Sequence, residues 1–419
     1  MSGKGLVSTD TESAPNPKPE AAGVAEVFWA FLRLGCVSFG GPAAHIGYFR
    51  DDLVARRGWL DEATYAELVA VCQVLPGPSS SQVGMGIGLT RAGLPGMVAA
   101  WLGFTLPSAA LMLAFALGLG GLGTMLGGGW VHGLKLAAVA VVAQAVWGMA
   151  ATLCPDRMRA SIAAGSVILI ALLPTTAGHL GAIALGAAAG LTVLRGQVEN
   201  QATGHLDVRL SRRLGAVFLG LFAAGLLGLP VLAQATGLQG LAYADALYRA
   251  GALVFGGGHV VLPLLQSAVV PPGWLDADTF LAGYGAAQAL PGPLFSFGAF
   301  LGASMSAAPH GLFGGLLGLG ALFLPSFFLV PGVLPFWAGL RTLGPLRAGL
   351  MGVNAAVVGL LASALHDPLW RSTVHDSLDF AVVLAAFVLL TAWRLNPVIV
   401  VALCALAGGV LAGGTLAAA

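Results

Sequence analysis

The amino-acid sequence contains two copies of one ordered series of short motifs. In the first half, "GCVSFGGP" at Gly35–Pro42 is followed by "CQVLPGPSSSQ" at Cys72–Gln82. In the second half, "GALVFGGG" at Gly251–Gly258 is followed by "AQALPGPLFSF" at Ala287–Phe297. The pairs "WLDEATY"/"WLDADTF" and "GLKLAAVAV"/"GVNAAVVGL" keep the same order, and the offsets stay between 215 and 219 residues. Chance matches do not stay in register, so the chain is a duplication of one structural unit.

The chain is far more apolar than a soluble protein. Charged residues make up 9% of it and hydrophobic residues 57%, whereas about a quarter of the residues in soluble domains are charged. The mean hydropathy is +0.88. Apolar stretches of about 20 residues, the length that spans a bilayer, recur from Val24 onward. Alternating segments of about ten residues, typical of membrane β-barrels, are absent. These features predict an all-α polytopic membrane protein that sits in a lipid bilayer. A net charge of +1 offers no field for nucleic acid.

The repeat and the changes in composition predict four regions. Residues 1–22 are rich in Pro, Ser and Glu, which predicts a disordered cytoplasmic tail. The first repeat spans residues 23–194, and the second repeat spans residues 240–419. Residues 195–239 hold a polar linker and one extra transmembrane helix. Each repeat has two broken helical elements followed by about four apolar transmembrane helices.

The basic loops occupy different places in the two repeats. Those of the first repeat and the linker carry Arg50, Arg56, Arg57, Arg91, Arg157, Arg159, Arg195, Arg209, Arg212 and Arg213. In the second repeat, residues 264–277 have no Lys or Arg, and the basic loops are those of Arg341, Arg347 and Arg394. Because basic loops stay in the cytoplasm, the two repeats are predicted to be inverted, with a cytoplasmic N-terminus. Re-entrant hairpins at the broken elements give nine crossings and four hairpins, whereas counting most pieces as crossings gives up to thirteen.

The broken elements predict a polar site inside the membrane. Irregular backbone is tolerated there only where it is buried in protein or lines a wet cavity. The four predicted tips are Gly40-Gly41-Pro42, Pro76-Gly77-Pro78, Gly256-Gly257-Gly258 and Pro291-Gly292-Pro293. Proline suits the first position of a helix, so Pro42, Pro78 and Pro293 are each expected to open a half-helix. Helix N-termini carry partial positive charge and bind anions. The alternative is that Pro-Gly-Pro forms an ordinary surface loop.

Polar and charged residues near these tips complete the candidate site. Hydroxyl and amide groups come from Ser79, Ser80, Ser81, Ser296, Gln73, Gln82 and Gln288, and imidazoles from His45 and His259. Cations come from Arg33, Lys135 and Arg249. With Glu67 as the opposing charge, they leave a positive excess that suits a divalent anion. Several alternatives stay open: snorkelling arginines, an Arg33–Glu67 ion pair, packing histidines, and serines that only cap a helix.

Other classes of protein find no support in the sequence. It contains no HExxH, GxSxG or Walker A motif, so neither an intramembrane hydrolase nor an ATP-driven pump is indicated. Its four cysteines form no CxxC pair, and no disulfide, metal site or cofactor is predicted. A purely structural membrane subunit would not need symmetric broken and charged elements.

Five segments resemble the chromate ion transporter family, in its long, two-domain form. They are "SFGGPAAHIGYF", "WLDEATYAEL", "QVLPGPSSSQ", "FGGGHVVLP" and "QALPGPLFSF", and the resemblance extends from about residue 24 to the end. It implies export of chromate across the inner (plasma) membrane and chromate resistance. An alternative within the resemblance is transport of sulfate or another tetrahedral oxyanion, with proton coupling through Glu67 or a histidine. The oligomeric state is left open, with a homodimer as one option.

Overall fold

The computed structural model describes residues 23–126, 128–195, 210–255 and 258–417. Every regular element in these ranges is a helix, which confirms the predicted all-α class. The tail at 1–22, most of the linker, and the tip residues Gly256 and Gly257 lie outside the described residues.

The first repeat and the extra helix comprise α1 Val24–Val37, α2 Gly41–Phe49 with an extension Arg50–Arg56, α3 Glu62–Val74, α4 Ser79–Leu126, α5 Gly129–Leu153, α6 Arg157–Leu172, α7 Thr176–Val193 and α8 Arg212–Thr236. The second repeat comprises α9 Gln239–Ala252, a turn Gly258–Val260, α10 Val261–Val269, α11 Ala277–Ala287, a turn Leu294–Ser296, α12 Phe297–Ala303, α13 Gly311–Val333, a turn Leu334–Phe336, α14 Trp337–Leu340, α15 Gly344–Ala364 with an extension Leu365–Trp370, α16 Arg371–Thr373, α17 Ser377–Thr391 and α18 Pro397–Ala417. Helix α4 leaves helical geometry at Ala92 and Gly93, so we call its two parts α4a (79–91) and α4b (94–126).

Corresponding helices of the two repeats begin in the same way. The Asp61 carboxylate accepts the Thr64 backbone N–H at 2.7 Å at the start of α3, and this bond lowers the pKa of Asp61. The equivalent Asp276 accepts the Thr279 N–H at 2.8 Å at the start of α11. An aspartate at this position satisfies one of the free N–H groups of a first turn. The repeat detected as "WLDEATY" and "WLDADTF" is therefore a repeated helix start.

The two repeats interlock through an exchange of helices. Helix α5 packs against α18, and its equivalent α15 packs against α7. A Cβ on Gly133 would lie 2.1 Å from the Cys404 carbonyl oxygen, and one on the equivalent Gly352 would lie 2.0 Å from that of Gly186. Glycine at these places lets the backbones approach closely, as at helix interfaces in membranes. Each repeat thus provides a partner for the other, and neither forms a separate body.

The two ends of helix α13 contact different repeats, so this helix defines two ends of the molecule. Before its first turn, the Ser306 N–H donates to the Trp274 carbonyl oxygen, in the α10–α11 loop, at 2.8 Å. After its last turn, Trp337 Nε1 donates to the Glu67 carboxylate, on α3, at 2.6 Å. The α10–α11 loop therefore lies at the N-terminal end of α13, called end A here. Helix α3 of the first repeat, which carries Glu67, lies at the C-terminal end of α13, called end B here. This placement agrees with the inverted orientation predicted from loop charge.

The path of the chain between the two ends follows from these contacts. At end A, Lys135 near the start of α5 contacts Asp278 in the first turn of α11. Helix α5 therefore runs from end A to end B, and the later helices alternate in direction.

Among the described residues, the helices that join end A to end B are α4b, α5, α6, α7, α8, α13, α15, α17 and α18. The pairs α1–α2, α3–α4a, α9–α10 and α11–α12 enter and return at one end. Five helical stretches in the described part of the chain are long and apolar enough to span a membrane, and the count of nine crossings and four hairpins stays a prediction. The basic loop residues of the sequence analysis that lie in the described ranges, such as Arg57, Arg157 and Arg347, are at end B.

Candidate functional site

The broken segments of the two repeats dock on one another. The Gly77 N–H donates to the Val254 carbonyl oxygen at 2.7 Å, and the Gly292 N–H donates to the Ser38 carbonyl oxygen at 2.8 Å. These are equivalent bonds, because Gly77 corresponds to Gly292 and Ser38 to Val254. Each Pro-Gly-Pro tip is therefore held by the residues that precede the glycine tip of the other repeat.

Only glycine fits the centre of each Pro-Gly-Pro tip. Gly77 has φ of 124° and Gly292 has φ of 90°, in the region that side chains rarely adopt. A Cβ on Gly77 would lie 2.8 Å from Ser326 Oγ, and one on Gly292 would lie 3.0 Å from Ser108 Oγ. Both serines end a Leu-Pro-Ser segment that occurs once in each repeat, at 106–108 and 324–326, and each contacts the tip of the opposite repeat. The triplet therefore makes a sharp turn and a close contact between repeats.

Helices begin directly at the tips, as the prolines predicted. Helix α2 starts at Gly41, after the left-handed Gly40, with Pro42 in its first turn. Helix α4a starts immediately after Pro78. Pro293 precedes the turn Leu294–Ser296, which leads into α12. The free N–H groups of the first turns give these points partial positive charge.

A cavity of about 540 Å³ lies where tips of both repeats meet. Its lining includes the predicted site residues Gly40, Gly41, Pro42, Gln288 and Gly292, together with residues 141–148 of α5 and 390–397 around the α17–α18 loop. Because those last two segments approach end B, the cavity lies on that side of the tips. The start of α2 faces this space, so the first repeat contributes backbone donors and the second contributes the Gln288 amide.

Two lining residues were not singled out as site residues in the sequence. Gln144 of α5 donates to the Leu390 carbonyl oxygen at 3.4 Å. Arg394, noted only as a loop charge, places its cationic side chain at the rim and has φ of 52°. A side chain in that backbone region costs of order 1–3 kcal/mol, and such residues cluster at functional sites. Both residues are remote in sequence from every tip, so only the cross-repeat packing reveals them.

The Gln288 amide is the side-chain amide of the second repeat that lines the cavity. It lies at the end of α11, one turn after the buried Tyr284, whose hydroxyl is within its hydrogen-bonding reach. Gln288 therefore brings a polar group of the second Pro-Gly-Pro segment to the cavity wall.

A set of buried polar side chains surrounds the first Pro-Gly-Pro tip and does not line the cavity. His45 Nδ1 lies 3.2 Å from Ser80 Oγ. Gln82 Nε2 donates to the Pro76 carbonyl oxygen at 2.7 Å and to Ser326 Oγ at 3.1 Å. His45, Ser80 and Gln82 are all buried. The structure thus brings these predicted residues together as a layer that holds the tip.

The comparisons with known proteins agree with this repeated architecture. The family model described as "Chromate transporter" matches residues 25–191 and 241–409, together more than half of the chain. The chain belongs to the chromate transporter family. The two matched segments coincide with the two copies that exchange helices and tips.

Long relatives with the family's name cover nearly the whole chain. The chromate transport protein of Pseudomonas aeruginosa is 31% identical over 416 residues, 96% of this chain and 95% of the relative. The probable chromate transport protein of Synechococcus elongatus is 30% identical over 372 residues, 87% and 89% of the two chains. The chromate transport protein of Cupriavidus metallidurans is 27% identical over 388 residues, 90% of each. No solved structure shows significant similarity to the chain.

The charged residues predicted for a site of this family do not gather at the cavity. Glu67 pairs with Arg341 at 3.0 Å, so the Arg33–Glu67 pair is not formed, and Arg33 is exposed on α1. Lys135 pairs with Asp278 at 2.8 Å. Arg249 pairs with Asp245, one turn earlier on α9. The predicted gathering of positive charge at the site is therefore wrong for these residues, because Lys135 and Arg249 each pair with an aspartate and Arg33 is exposed.

The remaining predicted residues lie at varied positions. Gln73 is exposed at the end of α3, Ser79 is half-buried at the start of α4a, and Ser296 is buried in the turn before α12. A Cβ on Gly258 would lie 3.6 Å from Pro42 Cγ and 3.7 Å from Leu294 Cβ. The first tip of the second repeat therefore reaches the same meeting point. The side chain of His259 lies outside the described residues.

Proposed function

We propose that the protein exports chromate from the cytoplasm and thereby confers chromate resistance. The observation that carries this proposal is the end-B cavity, where a half-helix start, the Gln288 amide and Arg394 converge in a member of the chromate transporter family. The relatives named above as chromate transport proteins support the choice of substrate.

The cavity offers the hydrogen-bond donors that a tetrahedral dianion needs. Chromate presents four acceptor oxygens, which lose water when the ion enters a protein. The lining contains four sources of donors: backbone N–H groups at the start of α2, the amides of Gln288 and Gln144, and the Arg394 guanidinium. Hydrogen bonds between charged groups are stronger than neutral ones, so Arg394 is expected to contribute most to affinity.

The charge of the loops supports the direction of transport. Because basic loops gather at end B, we assign that end to the cytoplasm. The start of α1 then also lies on the cytoplasmic side, and the membrane is the inner (plasma) membrane. Moving two negative charges outward across about 100 mV, negative inside, releases about 4.6 kcal/mol. That free energy corresponds to a gradient of about a thousandfold. The membrane potential alone can therefore drive export, without coupling to protons.

Transport by purified protein in lipid vesicles tests the proposal. The flux of radiolabelled chromate and sulfate is measured in separate vesicles, with the membrane potential and the pH gradient set independently. We expect chromate flux that follows the potential, changes little with the pH gradient, and falls in Arg394→Gln. A matched control is Arg212→Gln, an exposed arginine at the same end but away from the cavity. Flux of neither anion would contradict the proposal, and flux of sulfate alone would correct the substrate.

A further inference from the structure

A second cavity, of about 690 Å³, lies at end A. It is lined by the ends of α6 and α15, the start of α7, and by α10, α11 and the loop between them. We call this last unit the α10–α11 hairpin; it joins the second member of one re-entrant pair to the first member of the next. None of the described tip residues is part of the lining of this cavity. It is therefore separate from the candidate oxyanion site.

The two cavities use the same parts of the two repeats. With the offset of 219 that relates Gly133 to Gly352, the lining residue Ser363 corresponds to Gln144 at end B. The capping residues Asp156 and Asp376 relate α6 to α17 with an offset of 220. Ala171 and Pro174 at end A then correspond to Thr391 and Arg394 at end B, which line the first cavity. The end-A cavity therefore stands where inverted symmetry places a second version of the end-B cavity.

The inner walls of the two cavities differ. At end B the wall consists of the tips themselves. At end A it consists of the body of the α10–α11 hairpin, through Pro263, Gln266, Ser267, Val270 and Ala277. Helix α10 packs against α7 and α15. The hairpin therefore stands between the end-A cavity and the tips.

The side chains of the end-A cavity suit the weak binding of an anion. His179, Ser363 and His366 supply side-chain N–H and O–H donors. Arg371 is paired with Asp367 at 3.1 Å, so the rim carries little net charge. Gln266 is 6% exposed, and its Oε1 atom has no partner in the described part of the chain. A half-turn of that amide would present its NH₂ group at the same place. A port that releases an anion needs contacts of this strength, because tight binding would slow departure.

We propose that the end-A cavity is the second port of the transport path and that the α10–α11 hairpin is its gate. This inference rests on the proposed function of oxyanion export. Inverted repeats allow the two halves to exchange conformations around a fixed site. In the exchanged state, α10 leaves α7 and α15, and the tips open to end A. The equivalent hairpin α2–α3 then covers the end-B cavity.

Modification of single cysteines tests the port. Ser363→Cys and its symmetry partner Gln144→Cys are placed in vesicles of known orientation and treated with a bulky, membrane-impermeant methanethiosulfonate from one side. Reagent at end A is expected to abolish transport by Ser363→Cys, and reagent at end B to abolish transport by Gln144→Cys. Dithiothreitol should restore both. Each variant is compared with its own untreated rate, and the wild type is treated in parallel to account for its own four cysteines.

The outcomes separate this inference from the proposed function. Complete modification of Ser363→Cys, measured by mass spectrometry, with an unchanged transport rate would overturn the port. Failure of end-A reagent to modify Ser363→Cys, and likewise its neighbour Ala362→Cys, would overturn it as well. The assay uses whichever of chromate and sulfate the wild type moves. An error in the proposed substrate therefore appears in the wild type and leaves the test of the port intact.

Discussion

Helices α2 and α10 occupy equivalent positions in the two repeats but have different surroundings. Helix α2 has nine residues, of which His45 and Phe49 are buried. Helix α10 also has nine residues, of which seven are buried: Val261, Leu262, Pro263, Leu264, Leu265, Gln266 and Val269. Helix α2 packs on α4, whereas α10 packs on α7, α9 and α15. The first of these helices is thus largely uncovered and the second largely covered, which is the arrangement that the proposed port and gate require. A transporter requires such asymmetry, since a path open at both ends would be a channel.

The tips also differ in chemistry. Ser79, Ser80 and Gln82 at the first Pro-Gly-Pro tip correspond to Leu294, Phe295 and Phe297 at the second. In the first set, Ser80 and Gln82 form hydrogen bonds around the tip. The second set packs into the core, with the Phe297 ring centroid 5.3 Å from that of Phe280 and the Phe295 centroid 5.7 Å from that of Phe323. The first tip is therefore held by polar contacts, and the second by apolar packing.

The largest expected effect comes from an ion pair that only the first repeat has. Glu67, 8% exposed, pairs with Arg341, whereas its equivalent in the second repeat is the buried Ala282. Glu67→Ala makes the first repeat resemble the second but removes one partner of a buried pair. We expect a loss of about 3–5 kcal/mol in the free energy of unfolding, because such changes leave a buried charge uncompensated.

Thermal and denaturant unfolding in detergent measure this loss. The matched control is Glu62→Ala, which lies on the same helix, α3, and breaks the pair with Arg50. Both side chains of that pair are more than half exposed, at 58% and 57%, so the change should cost little of the free energy of unfolding. Equal losses in the two variants would mean that burial does not distinguish the two ion pairs in the way the structure indicates.

A smaller effect is expected at the glycines of the Pro-Gly-Pro tips. A Cβ on Gly292 would lie 3.1 Å from the Phe104 carbonyl oxygen, which cannot move independently of the backbone, whereas a Cβ on Gly77 would meet the ends of the Gln82 and Ser326 side chains. Gly292→Ala is therefore expected to cost more than Gly77→Ala, each within the range of about 1–3 kcal/mol for a strained backbone. Unfolding temperature and chromate flux are measured for both. Gly228→Ala on α8, where a Cβ meets open space, is the control. A larger loss in Gly77→Ala would contradict the tip geometry.

Local patterns in the sequence were sufficient for much of the fold. Apolar length and prolines predicted the helices and their starts at the tips, because capping and proline chemistry act within a few residues. Loop charge predicted opposite orientations that agree with the positions of the two hairpins. The cavity was not predictable in this way. Its lining combines Gly41, Gln144, Gln288 and Arg394, which approach only when the repeats exchange helices.

Ion pairing explains why Lys135 and Arg249 do not supply the positive charge that the sequence had predicted at the site. Asp245 lies one turn from Arg249 and could have been paired with it from helical spacing alone. Asp278 and Arg341 are far along the chain from Lys135 and Glu67, so no spacing rule connects them. A count of intramembrane charges is therefore a weak guide to the field at a site until the packing is known.

A moderate effect on chromate binding is expected from replacement of Arg394. This residue has no charged counterpart at end A, because the equivalent residue there is Pro174. Arg394→Gln removes a charged hydrogen bond worth about 1.5–3 kcal/mol. We expect the chromate Kd to rise by about tenfold or more. The unfolding temperature should stay near that of the wild type, because the side chain is exposed. Equilibrium binding of chromate measures the effect, with Arg371→Gln at the end-A rim as control. A larger loss of affinity in the control would reverse the assignment of the two cavities.

The smallest effect is expected at Ser80, whose equivalent in the second repeat is Phe295. Ser80 Oγ lies 3.2 Å from His45 Nδ1, and the serine is buried outside the cavity lining. Ser80→Ala should therefore cost about 1 kcal/mol of stability, the usual value of one hydrogen bond. Chromate affinity should change less than in Arg394→Gln, because the serine acts through the tip and does not contact the anion. Unfolding and chromate binding are measured on the same preparations, with the half-buried neighbour Ser79→Ala as a second variant. An affinity loss as large as that of Arg394→Gln, with stability unchanged, would move Ser80 from the supporting layer into the site. It would also make the polar tip of the first repeat a direct binding element that the second repeat has lost.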